Sequence, residues 1–186
     1  MRRSVGYLAG AGLLLLAFGV AFSTPHEDVI EGPIPARTVI GEQAAFGDLV
    51  ATVHEVSLAR EVEVDLTRLT TAGLWFVADV TVAATTERTL IQVDVLIDGV
   101  RYPASGRADR ASIQGGVVDA GFPITGPVVV ELPAEVQDLP GARSAVLRIS
   151  PGGDSRLDGV IEVVVDLTSL EIAERTEVEG KRDGTR

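Results

Sequence analysis

Three ionisable side chains in the middle of the chain have the types that acid–base catalysis uses. His54, Asp79 and Asp94 each lie within an apolar stretch, and the strands predicted for Asp79 and Asp94 are neighbours. Two carboxylates about 5–9 Å apart can hydrolyse a glycosidic bond, and a histidine can serve a serine nucleophile in a hydrolase triad. Aromatic residues, which form the sugar platforms of glycosidases, make up only 4% of the chain. No serine stands in the Gly-x-Ser-x-Gly pattern of a nucleophile elbow. We therefore predict no catalytic residue and interpret both aspartates as outward residues of strands.

A second group of residues, rich in glycine and aspartate, has the oxygen ligands that calcium prefers. The run 151–159 contains Asp154 and Asp158 between glycines. It lacks the spacing and the acidic twelfth position of a helix-loop-helix calcium site, and aspartate and glycine also favour turns on their own account. A turn is the favoured interpretation, and calcium binding between Asp154 and Asp158 stays open. No cofactor is predicted, and without cysteine the chain has no thiolate ligand for zinc or an iron–sulfur cluster.

The third group is basic. Arg107 and Arg110 lie in the stretch 103–122, the longest one without apolar periodicity, and Arg101 shortly precedes it. Long connections in compact domains often carry function. Because the net charge of the chain is −11, this locally basic spot would favour an anionic partner, such as a wall polymer or an acidic protein face. The alternative is that these arginines offset nearby carboxylates.

The elements that must position these residues have the periodicity of strands. Alternating stretches rich in β-branched residues cover 49–59, 74–84, 89–98, 100–102, 126–132, 142–150 and 159–167. Asp98-Gly99 between apolar residues is typical of a two-residue hairpin turn. No helical period separates the strands, which disfavours βαβ units. The pattern predicts an all-β, antiparallel β-sandwich of about seven to eight strands, with Trp75 in the core or, alternatively, exposed as a binding anchor.

An apolar segment precedes this domain. Val5 to Phe22 contains no charged residue, and as a helix its 18 residues rise about 27 Å, close to the ~30 Å hydrocarbon core of a bilayer. Arg2 and Arg3 precede the segment, whereas Glu27 and Asp28 follow it. The positive-inside rule therefore predicts a cytoplasmic N-terminus and an extracytoplasmic domain.

The sequence accordingly divides into five parts. These are a cytoplasmic start (1–4), a transmembrane signal-anchor helix (5–23), a proline-rich acidic stalk (24–37), the β-sandwich (38–167) and a charged tail (168–186). The expected location is the cell membrane, with a single pass; the alternative is secretion after cleavage near Ser23. Gly6 and Gly10 have the small-xxx-small spacing that favours weak homodimerisation of membrane helices, although glycine is also common in such helices.

Several stretches resemble a family of bacterial immunoglobulin-like domains of unknown function. The stretches are Phe76 to Val82, Asp98 to Tyr102 and Glu131-Leu132-Pro133. The family is exported or membrane-tethered, is frequent in actinobacteria, and is similar to small secreted antigens of mycobacteria. The resemblance covers roughly 38–167. It implies an immunoglobulin-like sandwich for adhesion or interaction, without known catalysis.

Together these features predict a membrane-tethered, extracytoplasmic binding or assembly module without catalysis. One alternative is an accessory subunit of a membrane transport or secretion complex, and a less favoured one is a cell-envelope hydrolase. The expected partners are an unknown protein or envelope polymer, and the lipid bilayer through residues 5–23. Nucleic acid is not expected, because the domain is strongly acidic.

Overall fold

The computed structural model describes residues 34–152 and 159–184, which form mainly β strands. The strands are β1 (Ile34–Thr38), β2 (Gln43–Phe46), β3 (Leu49–Val64), β4 (Thr67–Ala84), β5 (Thr89–Ile97), β6 (Val100–Pro103), β7 (Val117–Val118), β8 (Ile124–Leu132), β9 (Ala145–Pro151), β10 (Gly159–Val165), β11 (Ile172–Val178) and β12 (Arg182–Asp183). Short 3₁₀ helices cover Gly106–Ala111, Val136–Asp138, Ala142–Ser144 and Leu167–Ser169. Within the described residues, no helix has the length and apolarity needed to cross a membrane. The predicted start and anchor, and the stalk up to residue 33, lie outside the described residues.

The strands form two sheets. The first sheet has the order β1-β10-β9-β5-β6, with β7 beside β5, and the second has the order β11-β3-β4-β8-β12, with β2 beside β3. The predicted all-β sandwich of two sheets is confirmed. The predicted hairpin is also present: β5 and β6 are antiparallel, and Asp98 and Gly99 both have positive φ, as a type I′ turn requires.

The main core lies between the two sheets. It is built from alternate residues of the strands, so that β5, for example, contributes Ile91, Val93, Val95 and Ile97. β4 and β8 contribute Phe76, Val80, Val128 and Val130 from the opposite sheet. β-branched and leucine side chains therefore fill the layer between the sheets, as expected for a chain with few aromatic residues.

The second sheet is apolar on its outer face as well. Trp75, Val77 and Val129 point away from the main core into a second buried cluster, which also contains Ala59, Val62, Val64, Leu69 and Ala108. Val62, Val64 and Leu69 lie in the half of the β3–β4 hairpin that is next to its turn, which is the far half from the β2–β3 turn. Because these residues share the cluster with Trp75, the far half of the hairpin must bend back over the outer face. The bend lies at a wide bulge, where β3 runs from Ala59 to Glu61 while β4 runs from Trp75 back to Thr70.

Gly73 makes this bulge possible. A Cβ atom on Gly73 would lie 2.0 Å from the carbonyl oxygen of Leu132, so no larger residue fits at this close approach of two backbones.

The C-terminal segment completes the cover of the second sheet. The backbone N–H of Gly180 donates to Asp65 Oδ1 (2.8 Å), that of Lys181 donates to the carbonyl of Ala111 (2.7 Å), and β12 pairs with β8. The segment thus crosses from the β3 edge of the sheet to the β8 edge.

Four expectations about the domain need correction. The described residues contain twelve strands rather than seven or eight, and the sheets are not purely antiparallel, because β1 pairs with β10 and β11 with β3 in parallel. The first described strand, β1, starts at Ile34, so the last residues of the predicted stalk (34–37) belong to it. The predicted tail (168–186) contains β11 and β12. This stretch has few apolar residues among its charged ones, so its sequence lacks the alternation of a strand. It is extended because β11 pairs with β3 and β12 pairs with β8.

Trp75 tests the second cluster, because its side chain is fully buried there. We expect Trp75→Ala to lower the free energy of unfolding by about 3–5 kcal/mol, the usual cost of removing a buried aromatic side chain. Urea unfolding followed by far-ultraviolet circular dichroism measures this change. Val164→Ala is the control, because Val164 is about half exposed. A loss for Trp75→Ala no larger than that of the control would contradict the second cluster.

Candidate functional site

The residues considered for acid–base catalysis lie apart from one another. Asp79 lies in β4 of the second sheet and Asp94 in β5 of the first sheet, and both point away from the core between them. The prediction that their strands are neighbours is wrong, because the strands belong to different sheets. The two aspartates therefore do not form a carboxylate pair. Asp79 lies 3.8 Å from Arg182 of the C-terminal segment.

His54 belongs to a chain of hydrogen bonds on the outer face of the second sheet. Its Nε2 lies 2.7 Å from Thr81 Oγ1, which lies 2.6 Å from Thr125 Oγ1, and that hydroxyl donates to the carbonyl of Gly184 at 2.8 Å. Because a carbonyl only accepts and each hydroxyl has one proton, the direction of the whole chain is fixed. His54 therefore carries a proton on Nε2 and donates a hydrogen bond from it to the Thr81 hydroxyl. In this arrangement the imidazole ties a β-bulge of β3 to the C-terminal segment.

Arg107 is held in a structural contact rather than in a free binding loop. Its guanidinium lies over the ring of Trp75, 5.3 Å from the centroid. One nitrogen, Nη1, donates to both the Thr70 carbonyl and Glu131 Oε1 at 2.8 Å. These contacts fasten the Gly106–Ala111 helix over the second sheet.

The candidate loop of Arg101, Arg107 and Arg110 is therefore not a single basic spot. Arg101 lies in β6 of the first sheet, whereas Arg107 lies over the second sheet. The side chain of Arg110 lies outside the described structure, as do Asp154 and Asp158 of the possible calcium loop. Among the described residues, no group of three or more His, Asp or Glu side chains could hold a metal ion.

Arg101 takes part in a different cluster, around Asp94. The Arg101 Nε donates to Asp94 Oδ2 at 2.9 Å, and the Arg148 Nε donates to Asp94 Oδ1 at 2.8 Å. Each carboxylate oxygen thus accepts from one guanidinium, which satisfies the side chain of a buried residue. Arg148 is the direct cross-strand partner of Asp94, whereas Arg101 reaches it diagonally from β6.

This cluster continues across the whole outer face of the first sheet. Glu162 of β10 is the cross-strand partner of Arg148, and Arg37 of β1 is the partner of Glu162, with its Nε 3.3 Å from Glu162 Oε2. Positive and negative side chains therefore alternate over five strands. We call this set the charge row: Arg37, Glu162, Arg148, Asp94 and Arg101.

The two signs of the charge row differ in their exposure. The side chains of Arg37 and Arg101 are 75% and 55% exposed, whereas those of Glu162 and Asp94 are 15% and 3% exposed. Arg148 is intermediate, at 19%. The carboxylates thus lie against the sheet, and the guanidinium groups of Arg37 and Arg101 lie above them. Although the domain is acidic as a whole, this face presents mainly positive charge to the solvent.

Partly exposed apolar residues border the charge row. Val164, Val146 and Leu96 form a cross-strand row on the same face, one pleat away from it. The outer face of the first sheet therefore places guanidinium groups, which donate hydrogen bonds and carry delocalised charge, beside this narrow row of apolar side chains. Guanidinium groups of this kind recognise carboxylates and phosphates, often with two parallel hydrogen bonds.

Sequence reasoning named only Arg101 and Asp94 from the charge row. Asp94, Arg148 and Glu162 each stand between two apolar residues within a predicted strand, which is the signal for an outward charged side chain. That signal does not show which strands are neighbours or how their residues align. The register of the sheet brings these residues together.

Two carboxylates elsewhere have lowered pKa values. The hydroxyls of Thr86 and Thr85 donate to Asp48 and hold the pKa of its carboxyl below the ordinary value of 3.8. Thr168 does the same for the pKa of Asp166, which caps the Leu167–Ser169 helix. Because both folded-state values are depressed, these bonds stabilise the fold above the unfolded-state pKa, and their contribution is lost as the pH falls through the folded-state values.

Comparison with known proteins yields partial structural matches. No protein-family model and no curated protein matches the sequence. The yjhA protein from Bacillus subtilis is 16% identical, over 67% of this chain and 98% of that chain, with a TM-score of 0.47. An uncharacterized β-sandwich protein from Clostridium difficile 630 is 14% identical, over 73% of this chain and 97% of that chain, with a TM-score of 0.44. A candidate lipoprotein from Staphylococcus aureus is 7% identical, over 75% of this chain and 97% of that chain, with a TM-score of 0.43.

No conclusion about function follows from these likenesses. The resemblance to actinobacterial immunoglobulin-like domains is not shown by any sequence match, and it stays a prediction.

The charge row makes a prediction about stability. Asp94→Ala removes the shared partner of two arginines, and because Arg148 is largely buried, we expect a loss of about 3–5 kcal/mol. Arg101→Ala removes a half-exposed partner, and we expect a loss below about 1 kcal/mol. Unfolding in urea measures both, because urea, unlike guanidinium, does not screen charges. Equal losses for the two variants would contradict the central position of Asp94.

Proposed function

We propose that the protein is a membrane-tethered, extracytoplasmic binding module that holds an anionic polymer of the cell envelope on the outer face of its first sheet. The observation that supports this proposal is the unequal exposure within the charge row. A partner that approaches this face meets the guanidinium groups of Arg37 and Arg101 before it meets any carboxylate.

The spacing of the arginines suits an extended partner. Arg37, Arg148 and Arg101 lie on β1, β9 and β6, so each is two strands from the next. With neighbouring strands about 4.8 Å apart, the arginines recur about every 10 Å across the sheet. A flexible polyanion that crosses the strands would meet all three and could lay its apolar parts on Val146 and Leu96.

The charge of the rest of the domain restricts where such a polymer binds. The chain carries 27 acidic and 16 basic residues, so most of its surface repels a polyanion. Binding is therefore confined to the face of the first sheet. Because its main contacts are exposed ion pairs, the affinity should fall as salt is added.

The remaining features of the proposal come from the sequence. The signal-anchor segment over 5–23 would hold the module at the outer surface of the membrane, where a tether raises the effective concentration of a nearby polymer. We further propose that the sandwich is an immunoglobulin-like domain. Its support is the resemblance at Phe76 to Val82 and Asp98 to Tyr102, which form the central strand β4 and the β5–β6 hairpin. Holding a polymer requires no bond to be made or broken, so this function needs no catalytic residue.

Binding of defined polyanions by the full chain in detergent tests the proposal. The probes are poly(glycerol phosphate), as a model of a wall polymer, and polyglutamate, as a model of an acidic protein face. We compare Arg37→Gln/Arg101→Gln with the control Arg60→Gln/Arg68→Gln, whose arginines are also at least half exposed, in ion pairs of the second sheet. Glutamine removes the charge without adding a negative group beside Asp94.

We expect the first double variant to lose about 5–30-fold in affinity for poly(glycerol phosphate), since two exposed ionic contacts contribute about 1–2 kcal/mol together. The control should change less than about twofold. Equal losses in both variants would show a general effect of charge and refute the face of the first sheet as the site. Absence of binding by the unmodified chain would reject the proposal, and preference for polyglutamate would point to an acidic protein instead.

A further inference from the structure

The chain enters the sandwich at one particular end. Ile34 is the partner of Gly159 at the start of β10, which follows the end of β9 at Pro151. Pro151 in turn is the partner of Ile91 near the start of β5. We call this the entry end of the sandwich.

Several connections meet at the entry end. The β4–β5 connection (85–88) lies there because it leads into β5, and the β2–β3 turn lies there because Leu49 is the partner of Ala84. The β7–β8 connection (119–123) joins them, since Gly121 donates to the Ala84 carbonyl at 2.9 Å. Any anchor that precedes Ile34 is therefore attached to the end of the sandwich that these connections form.

Four of the nine exposed large apolar side chains in the described structure lie at the entry end. Phe122 is 71% exposed, Ile34 is 54% exposed, and Leu90 and Val117 are 38% and 41% exposed. Leu90 and Val117 are cross-strand partners, so they form a contiguous pair. Phe122 lies in a turn that two backbone hydrogen bonds fix, from Phe122 to Asp119 and from Gly121 to Ala84. The turn thus presents a large aromatic side chain to the solvent.

We propose that the entry end contacts the lipid bilayer, with Phe122 and the Leu90–Val117 pair entering its interfacial region. This inference rests on the proposed membrane tether. If the anchor ends at residue 23, the ten residues 24–33 separate it from Ile34 and span at most about 33–36 Å. The entry end therefore stays close to the membrane surface. Such confinement raises the effective concentration of lipid to a level at which a weak apolar contact is populated.

The charge of the entry end indicates which forces drive this contact. The three connections contain Asp48, Glu87 and Asp119 with one basic residue, Arg88, so their net charge is −3 + 1 = −2. An acidic end is not attracted to anionic lipid headgroups. The contact therefore depends on the apolar side chains, and phenylalanine and leucine are among those that interfacial segments bury at the headgroup boundary. With the entry end on the membrane, the face that carries the charge row stands roughly upright and stays open to a polymer.

Site-specific labels on the full chain test this proposal, because the chain has no native cysteine. An environment-sensitive fluorophore is attached to Phe122→Cys or to the control Val100→Cys. Val100 is 54% exposed and apolar, and it lies in the β5–β6 hairpin at the opposite end, where it is the partner of Ile97. Both proteins are reconstituted in zwitterionic vesicles with and without lipids that carry a nitroxide quencher near the headgroup. Flotation with the vesicles reports independently on the tether.

We expect both proteins to float with the vesicles, and the label at 122 to be quenched at least about threefold more than the label at 100. A label at Val117→Cys should be quenched as well, and Phe122→Asp should reduce that quenching while the circular dichroism spectrum is unchanged. Equal quenching at positions 122 and 100 in floating protein would overturn the contact but not the tether. Quenching that requires anionic lipid would also overturn it. Failure of the chain to float would overturn both the tether and the contact.

Discussion

The structure depends on one constraint, which is that the central strand β4 is apolar on both of its faces. Phe76 and Val80 fill the core between the sheets, while Trp75 and Val77 point to the other side. Leaving the second cluster in water would expose Trp75 and four valines, and burial of such an apolar side chain gains about 1.5–3 kcal/mol. The second sheet must therefore be covered on its outer face as well as on its inner face.

Three otherwise unrelated segments provide this cover. The far half of the β3–β4 hairpin bends back at the Gly73 bulge, the Gly106–Ala111 helix places Ala108 in the cluster, and the C-terminal segment crosses from β11 to β12. Arg107 and His54 fasten two of these segments by the contacts described above. Side chains that could do chemistry in another setting thus hold the cover in place. The outer face of the first sheet instead carries the charge row beside a strip of partly exposed apolar residues.

The proposed binding of an anionic partner by this acidic protein depends on the outer face of the first sheet. Two buried or nearly buried carboxylates, Asp94 and Glu162, order three arginines across five strands. Because the carboxylates lie underneath, their charge fixes the arginines without being presented to a partner. The same face would stay accessible in a chain anchored through Ile34, since the entry end lies at one end of the strands.

Much of the fold, but little of the site, could be predicted from the sequence. The strands at 74–84 and 89–98 and the Asp98-Gly99 turn were readable because apolar alternation and turn chemistry are local. The strand over Ile172–Val178 could not be predicted, because its charged residues become extended only by pairing with β3. The alternation of Glu61-Val62-Glu63-Val64 was a signal for the longer hairpin, but its turn at Asp65-Leu66 lacks glycine, although both residues adopt positive φ. The charge row depends on the alignment of five strands, and such register is a property of the whole sheet.

Nuclear magnetic resonance of the sandwich within the full chain, titrated with poly(glycerol phosphate), tests the central claim most directly. The account predicts that shift changes are confined to β1, β10, β9, β5 and β6, are largest near Arg37, Arg148 and Arg101, and vanish in high salt. Shift changes centred on Arg107 and the second sheet, or none in the strands of the first sheet, would contradict it.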